Sequence, residues 1–217
     1  MTHIDKLHDS SKLVRLEEAM VKKFSDGIIE TKFANRELTL TVRKRDIMAI
    51  LKYLRDDRRM MFKCLMDICG VDWLGKRDER FDVVYHVLSV HKNMRVRLKV
   101  AINEDEHMPS VCELFESANW FEREAYDMFG IQFDNHPDLR RILTDYGFDG
   151  HPLRKDFPLV GKVEVYYDSE EKRVAYKKVD MPQEFRQFDA QSPWEAMTGN
   201  ASLAEDANLF NEDEFKG

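Results

Sequence analysis

The chain is poor in the residues that build cofactor sites. It has three cysteines in 217 residues, Cys64, Cys69 and Cys112. That count is odd and low, unlike the even sets of a secreted disulfide framework. No C-x-x-C occurs, which excludes zinc ribbons and thioredoxin-like redox sites. A plant-type iron–sulfur pattern would need a third cysteine at position 72, where the chain has Asp72. On a strand, Cys64 and Cys69 point to opposite faces. Cys112 lies among apolar residues, so all three read as small buried hydrophobes.

The nine glycines are scattered singly. With no G-x-G-x-x-G, no G-x-x-x-x-G-K-[ST] and no G-x-S-x-G, the known phosphate loops and the hydrolase elbow are excluded. No apolar run approaches the ~18 residues of a membrane helix. A net charge of −7 argues against nucleic acid as the main partner. The opening MTHIDKLHDS resembles neither a secretory signal nor an Arg-rich transit peptide, so the chain is expected to stay in the compartment where it is made.

What is present is a globular composition, 43% hydrophobic and 35% charged. Leu13, Leu16, Met20 and Phe24 recur at helical spacing. Two strands are expected at 28–34 and 37–43, the second alternating Leu38, Leu40 and Val42 with polar residues, and Asn35-Arg36 supplies the tight turn between them. Ile47, Ile50, Leu51 and Leu54 mark an amphipathic helix. Three more strands are expected at 61–71, 80–90 and 94–102, the last two joined through His91-Lys92-Asn93. The order α-β-β-α-β-β-β predicts an α+β domain with one mixed sheet and helices on one face. Ser110 and Glu113 form a capping-box pattern, predicting a helix from Pro109-Ser110 with Val111, Leu114, Phe115 and Ala118 on its buried stripe.

The texture changes after Trp120: five of the six prolines lie from Pro137 onward. Apart from a hairpin expected at 163–168 and 173–179, no periodic segment there is long enough for a core of its own. Phe185, Phe188 and Trp194 nevertheless sit in that stretch, and apolar anchors on irregular chain must be buried somewhere. From Gly199 the end carries five acids against one lysine and reads as a solvated tail. The expected organisation is an α+β domain over 1–118, a dense polar segment over 119–160, and an extended partner-binding tail with a small hairpin and an acidic end over 161–217.

The polar segment concentrates the chemistry. On a helix, Phe121, Ala125, Met128 and Phe129 form an apolar stripe and leave Glu122, Arg123, Glu124 and Asp127 on other faces. An enzyme reading pairs Glu124 with Asp127 as acid and base, or gathers Asp127, His136, Asp138 and His151 as metal ligands. A structural reading pairs these acids with Arg123, Arg140, Arg141, Arg154 and Lys155 to hold an irregular chain in one shape. Such a chain lacks a backbone ladder and needs side chains to satisfy its amides and carbonyls. His136 and His151, each followed by proline, look like turn architecture rather than a ligand pair.

The same residues carry a resemblance. Glu122-Arg123-Glu124, Asp127-Met128-Phe129, then His136, Arg140, Ile142 and Leu143 match the signature of the thirty-kilodalton subunit family of respiratory complex I. The match continues through GHPLRKDFPL at 150–159, and VEVYYDSEEKRVAYKKV with PQEFRQFDAQSPWE resembles the C-terminal extension of its mitochondrial and alphaproteobacterial branch. The resemblance implies a non-catalytic peripheral-arm subunit of proton-translocating NADH–quinone oxidoreductase. It implies no cofactor or metal in this chain, with FMN and iron–sulfur clusters in partner subunits. The implied neighbours are the forty-nine-kilodalton quinone-site subunit and the twenty-kilodalton cluster-bearing subunit. The implied location is the cytoplasmic side of a bacterial inner membrane or the mitochondrial matrix side. Phe185, Arg186, Phe188 and Trp194 are the expected anchors for a partner. Two other systems are open to the sequence: a homologous domain of a membrane-bound hydrogenase or formate hydrogenlyase, disfavoured by the missing C-x-x-C, and a metal-dependent hydrolase using Asp127, His136 and His151.

Overall fold

Alternating Leu38, Leu40 and Val42 build strand β2 (Glu37–Val42), in which all three are buried. Strand β1 (Ile28–Ala34) pairs with it antiparallel. The turn between them holds Asn35 and Arg36 at positive φ, 53° and 64°, the mirror-image turn whose twist suits two adjoining strands. In this computed structural model residues 3–181 and 183 are described, with side chains from Lys12 onward. The expected anchors Phe185, Phe188 and Trp194, and the acidic end, lie outside the described residues.

The remaining strands of the main sheet are β3 (Cys64–Asp72), β4 (Phe81–Ser89) and β5 (Met94–Ile102), in the order β1-β2-β5-β4-β3. Only β2 and β5 run parallel, so the sheet is mixed. Register places Leu40, Leu98, Tyr85 and Ile68 side by side across four strands, each at most 1% exposed. Helices α1 (His3–Lys23) and α2 (Ile47–Asp56) cover this apolar face with Leu13, Leu16, Met20, Ile47, Ile50, Leu51 and Leu54. The opposite face carries the row Thr39, Arg97, His86 and Asp67, joined through Arg97.

Two expected elements differ. Strand β3 starts at Cys64 rather than residue 61, because the amides of Met60 and Met61 bond the Asp57 carbonyl and that of Phe62 bonds Leu54, closing the end of α2. The expected helix from Ser110 is a single turn. Met108–Pro109 form a short strand β6, parallel to β7 (Phe133–Asp134). Ser110 Oγ accepts the Cys112 amide at 3.2 Å, and the Val111 amide goes to Glu122 at 2.7 Å. A capping box would give the Ser110 amide to the Glu113 carboxylate, but that amide bonds the Asp134 carbonyl at 2.9 Å, and Glu113 is exposed. The stripe of Val111, Phe115 and Ala118 is buried all the same. Helix α3 begins at Ala118 and runs to Phe129. It packs on β3, where a Cβ on Gly70 would lie 2.7 Å from the Phe129 ring.

Contacts divide the chain into two units, Met1–Val160 and Gly161–Gly217. In the second, β8 (Val163–Asp168) and β9 (Arg173–Lys178) form a hairpin. Its register puts Val163, Val165, Tyr167, Val174 and Tyr176 on one face, each more than half exposed, while Glu164 pairs Lys177 on the other.

Candidate functional site

The charged residues of α3 work on the backbone of the segment that follows. Arg123 and Asp127, one turn apart, share a helix face. Arg123 donates through Nε and Nη2 to the carbonyls of Arg140 and Arg141, both at 3.0 Å. Asp127 Oδ2 accepts the next three amides, from Ile142 (3.1 Å), Leu143 (2.7 Å) and Thr144 (2.9 Å). Its Oδ1 accepts the Thr144 hydroxyl at 2.6 Å and the Arg141 guanidinium at 2.7 Å. A cation thus holds two successive carbonyls and an anion three successive amides, filling a concavity of N–H groups of the kind that elsewhere binds phosphate. Burial pushes the Asp127 carboxyl up, but Thr144, the amides and Arg141 together hold it well below the usual carboxylate range.

The helix end is closed by a second stretch. Gly130, at φ +77°, is the left-handed residue that terminates α3. His151 Nδ1 bonds the Asp127 carbonyl at 3.0 Å, the Leu153 amide bonds Met128 at 3.1 Å, and Arg154 Nε bonds the Phe129 carbonyl. These carbonyls have no partner within the helix, and two of their donors are side chains suited to a helix C-terminus. Gly130 also leaves the room: a Cβ there would lie 2.5 Å from Arg154 Nη2 and 2.7 Å from His151 Nε2.

A third set ties residues 154–156 to the end of the main sheet. Arg80 bonds Asp72, Glu104 (2.8 Å) and Asp156 (2.8 Å), and Asp72 accepts the Lys155 amide at 2.8 Å. Arg154 pairs with Glu104. Asp72 is buried, which raises its carboxyl, yet Arg80 and the amides of Lys155 and Leu74 leave it below the ordinary value.

The structure sorts the acids differently from the helical wheel. Glu122 and Asp127 lie off the apolar stripe but are fully buried, because the irregular segments before and after α3 cover its other side. Glu124 is exposed. Among the described residues, Glu122 pairs with no arginine. It accepts the Val111 amide and lies 3.5 Å from Cys112 Sγ and 3.9 Å from His136 Nε2, and burial raises its carboxyl. Among the described residues, the Arg140 side chain makes an exposed pair with Asp138 alone. Arg141 is the half-buried partner of the buried Asp127 and also donates to the Gly150 carbonyl at 3.0 Å.

His136 and His151 serve turns. His136 accepts the Asp138 amide at Nδ1, which places its proton on Nε2, 3.0 Å from the Asn119 carbonyl. Asp127, His136, Asp138 and His151 are not brought together as ligands. Among the described residues, two other sets come close enough to share an ion, Cys112–Glu122–His136 and Asp67–Cys69–His86. In the first, both His136 nitrogens are already committed. In the second, Arg97 donates to His86 Nε2 at 2.9 Å and sets a guanidinium against the imidazole. The three cysteines are half-buried rather than buried, and burial pushes the Cys69 and Cys112 thiols up to about 11, away from the thiolate a metal or nucleophile needs. Neither set offers ready donors.

Asp72, Arg80 and Glu104 escaped the sequence reading. They sit at the ends of three strands with no motif spacing, and only the sheet order brings them together.

These features define a class: a small α+β domain whose densest charged segment is spent on its own backbone. Residues 40–163 match the family model for the respiratory-chain NADH dehydrogenase 30 Kd subunit, and the chain belongs to that family. It is 57% identical over 173 residues to the NADH-quinone oxidoreductase C subunit of Xanthobacter autotrophicus, covering 80% of this chain and 82% of the relative. The corresponding C subunit of Paramagnetospirillum magneticum is 60% identical over 159 residues, 73% and 79% of the two chains. Among solved structures, the trypsin-resistant fragment (1-134) of Nqo5 superposes with a TM-score of 0.50 at 34% identity, over 59% of this chain and 99% of that one. A chain of the membrane-bound sulfane sulfur reductase, an archaeal respiratory membrane complex, gives 0.57 at 25% identity, over 69% and 87%.

Proposed function

We propose that this chain is a non-catalytic peripheral-arm subunit of a proton-translocating NADH–quinone oxidoreductase. In this reading it holds no flavin, cluster or metal and packs beside the quinone-site subunit and the smaller cluster-bearing subunit. Electrons pass from NADH through FMN and clusters in the partners to quinone, on the cytoplasmic side of a bacterial inner membrane. No helix among the described residues is long and apolar enough to cross a membrane, so the chain's place at the membrane is proposed to come through its partners.

The observation that carries the reading is the state of the charged signature. Arg123, Asp127, Arg141, His151 and Arg154 are all bonded to the chain's own backbone or to one another. Of the acids the enzyme reading would employ, Asp127 is buried under five donors and Glu124 stands exposed on the helix surface. The clamp instead fixes a segment that turns Leu143 and Tyr146 outward, 62% and 81% exposed. Aromatic and aliphatic side chains held rigidly outward are what a protein interface uses. The hairpin adds an apolar face that two strands cannot bury alone.

The test is assembly. Truncation after Pro182 leaves the unit 1–160 folded but lowers its recovery with the quinone-site and cluster-bearing subunits. Normal amounts of assembled complex after truncation would contradict a tail that laces the chain to its neighbours. NADH oxidation or quinone reduction by the purified chain alone would contradict a non-catalytic subunit. The likeness to the sulfane sulfur reductase chain favours one other reading, a related complex with a different electron donor. Co-purification with a flavin-bearing NADH-oxidising subunit separates the two.

A further inference from the structure

A cavity of about 440 Å³ opens where α1, the residues after α2 and the β4–β5 turn meet. Its buried wall is Leu16, Met60 and Met94, each at most 8% exposed. Around that wall stand Lys12, Arg15, Arg59 and Lys92, and among the described residues no carboxylate lines the cavity. Arg59 is held in place by Asp57 and by the Tyr53 hydroxyl, with its side chain 75% exposed. Arg59 is thus already paired, and the exposed Arg15 and Lys92 give the hollow its basic edge in a chain whose net charge is −7.

Unbranched thioethers repack around differently shaped guests, which suits a floor that receives an apolar side chain from outside. The volume matches one or two large side chains and not a helix, whose diameter alone is about 10–12 Å. We propose that this cavity is a docking site for an acidic segment of a partner protein, one that inserts a large apolar residue between flanking carboxylates. The cations supply recognition and approach rate, and the Leu–Met floor supplies retention.

The site is distant in sequence from the clamp on α3, and the inference is independent of the reading of that clamp. It is tested on the full chain with a fluorescein-labelled peptide in which a Leu-Phe pair is flanked on each side by glutamates. Anisotropy should show saturable binding that weakens as salt rises, since Arg15 and Lys92 are exposed. Arg15→Glu with Lys92→Glu, both on the surface, should weaken it at least about 10-fold, with circular dichroism confirming the fold. Replacing Leu-Phe by Ala-Ala in the peptide should abolish saturation. Equal binding of the Ala-Ala peptide, indifference to the charge reversal, or no binding at all would each overturn the proposal. So would stronger competition by vesicles containing phosphatidylglycerol than by the unlabelled peptide, which would assign the cations to an anionic lipid surface.

Discussion

Asp127 shows how one carboxylate can organise a segment with no regular structure. It takes three consecutive amides, a hydroxyl and a guanidinium, in a fully buried position. Charge-assisted bonds of this kind contribute about 1.5–3 kcal/mol each where they are shielded. Asp127→Asn should therefore cost about 3 kcal/mol, because an amide NH2 facing buried donors leaves some of them unpaired and leaves the half-buried Arg141 without its countercharge. The same substitution should expose the Arg140–Arg141 bonds to trypsin, measured as faster limited proteolysis at that point. Arg141→Ala should do likewise, while Arg140→Ala should not, since the pair Arg140 makes with Asp138 is solvent-exposed. Equal effects of the two arginines would contradict the arrangement.

Glu122 gives the opposite pH signature. Burial raises its carboxyl, so the folded chain binds this proton more tightly than the unfolded chain does. Stability is then lost as pH rises through about 4.3, the free-carboxyl value, until the folded value is passed. Asp127, held low, contributes stability that is present above about 3.9 and lost as pH falls from there toward its folded value. In urea unfolding at about pH 5 and pH 8, wild type should lose stability relative to Glu122→Gln on going to the higher pH. A difference that stays constant would show that Glu122 does not titrate there.

Among the elements, the strands were legible because one face of the sheet is buried and the other polar, so period-two alternation survives in β2 and β5. The helix expected at Ser110 failed for a reason invisible in sequence. The Ser110 amide, which the capping box would need, is held by the Asp134 carbonyl beside the β6–β7 pairing, a partner that only the fold brings near. The burial of Glu122 and Asp127 was equally hidden, since irregular chain and not a helix or strand covers them. The family resemblance marks the clamp residues, but their division into carbonyl holders and amide holders depends on the path of the irregular chain around α3. At the end of α3, Gly130 combines a left-handed backbone with contact to Arg154 and His151. Gly130→Ala should cost about 2–3 kcal/mol through strain and displacement of those two side chains, read from the midpoint of chemical denaturation. A cost within a few tenths would mean that the helix end is not fixed in this way.

In the whole molecule, labour is divided between a unit with a complete core, 1–160, and a hairpin whose apolar face has no cover within itself. Three ion sets at the end of the sheet, the end of α3 and the 140–144 segment connect the core to the surface that carries Leu143 and Tyr146. The most direct test of the central claim, that the charged signature is structural, is turnover per assembled complex. Glu124→Gln, Asp127→Asn and Arg141→Ala would be introduced in the native complex, with NADH–quinone activity divided by the amount of complex present. A structural signature predicts a normal amount for Glu124→Gln, reduced amounts for the other two, and an unchanged ratio for all three. A variant that assembles normally but turns over at least about 10-fold more slowly would contradict it.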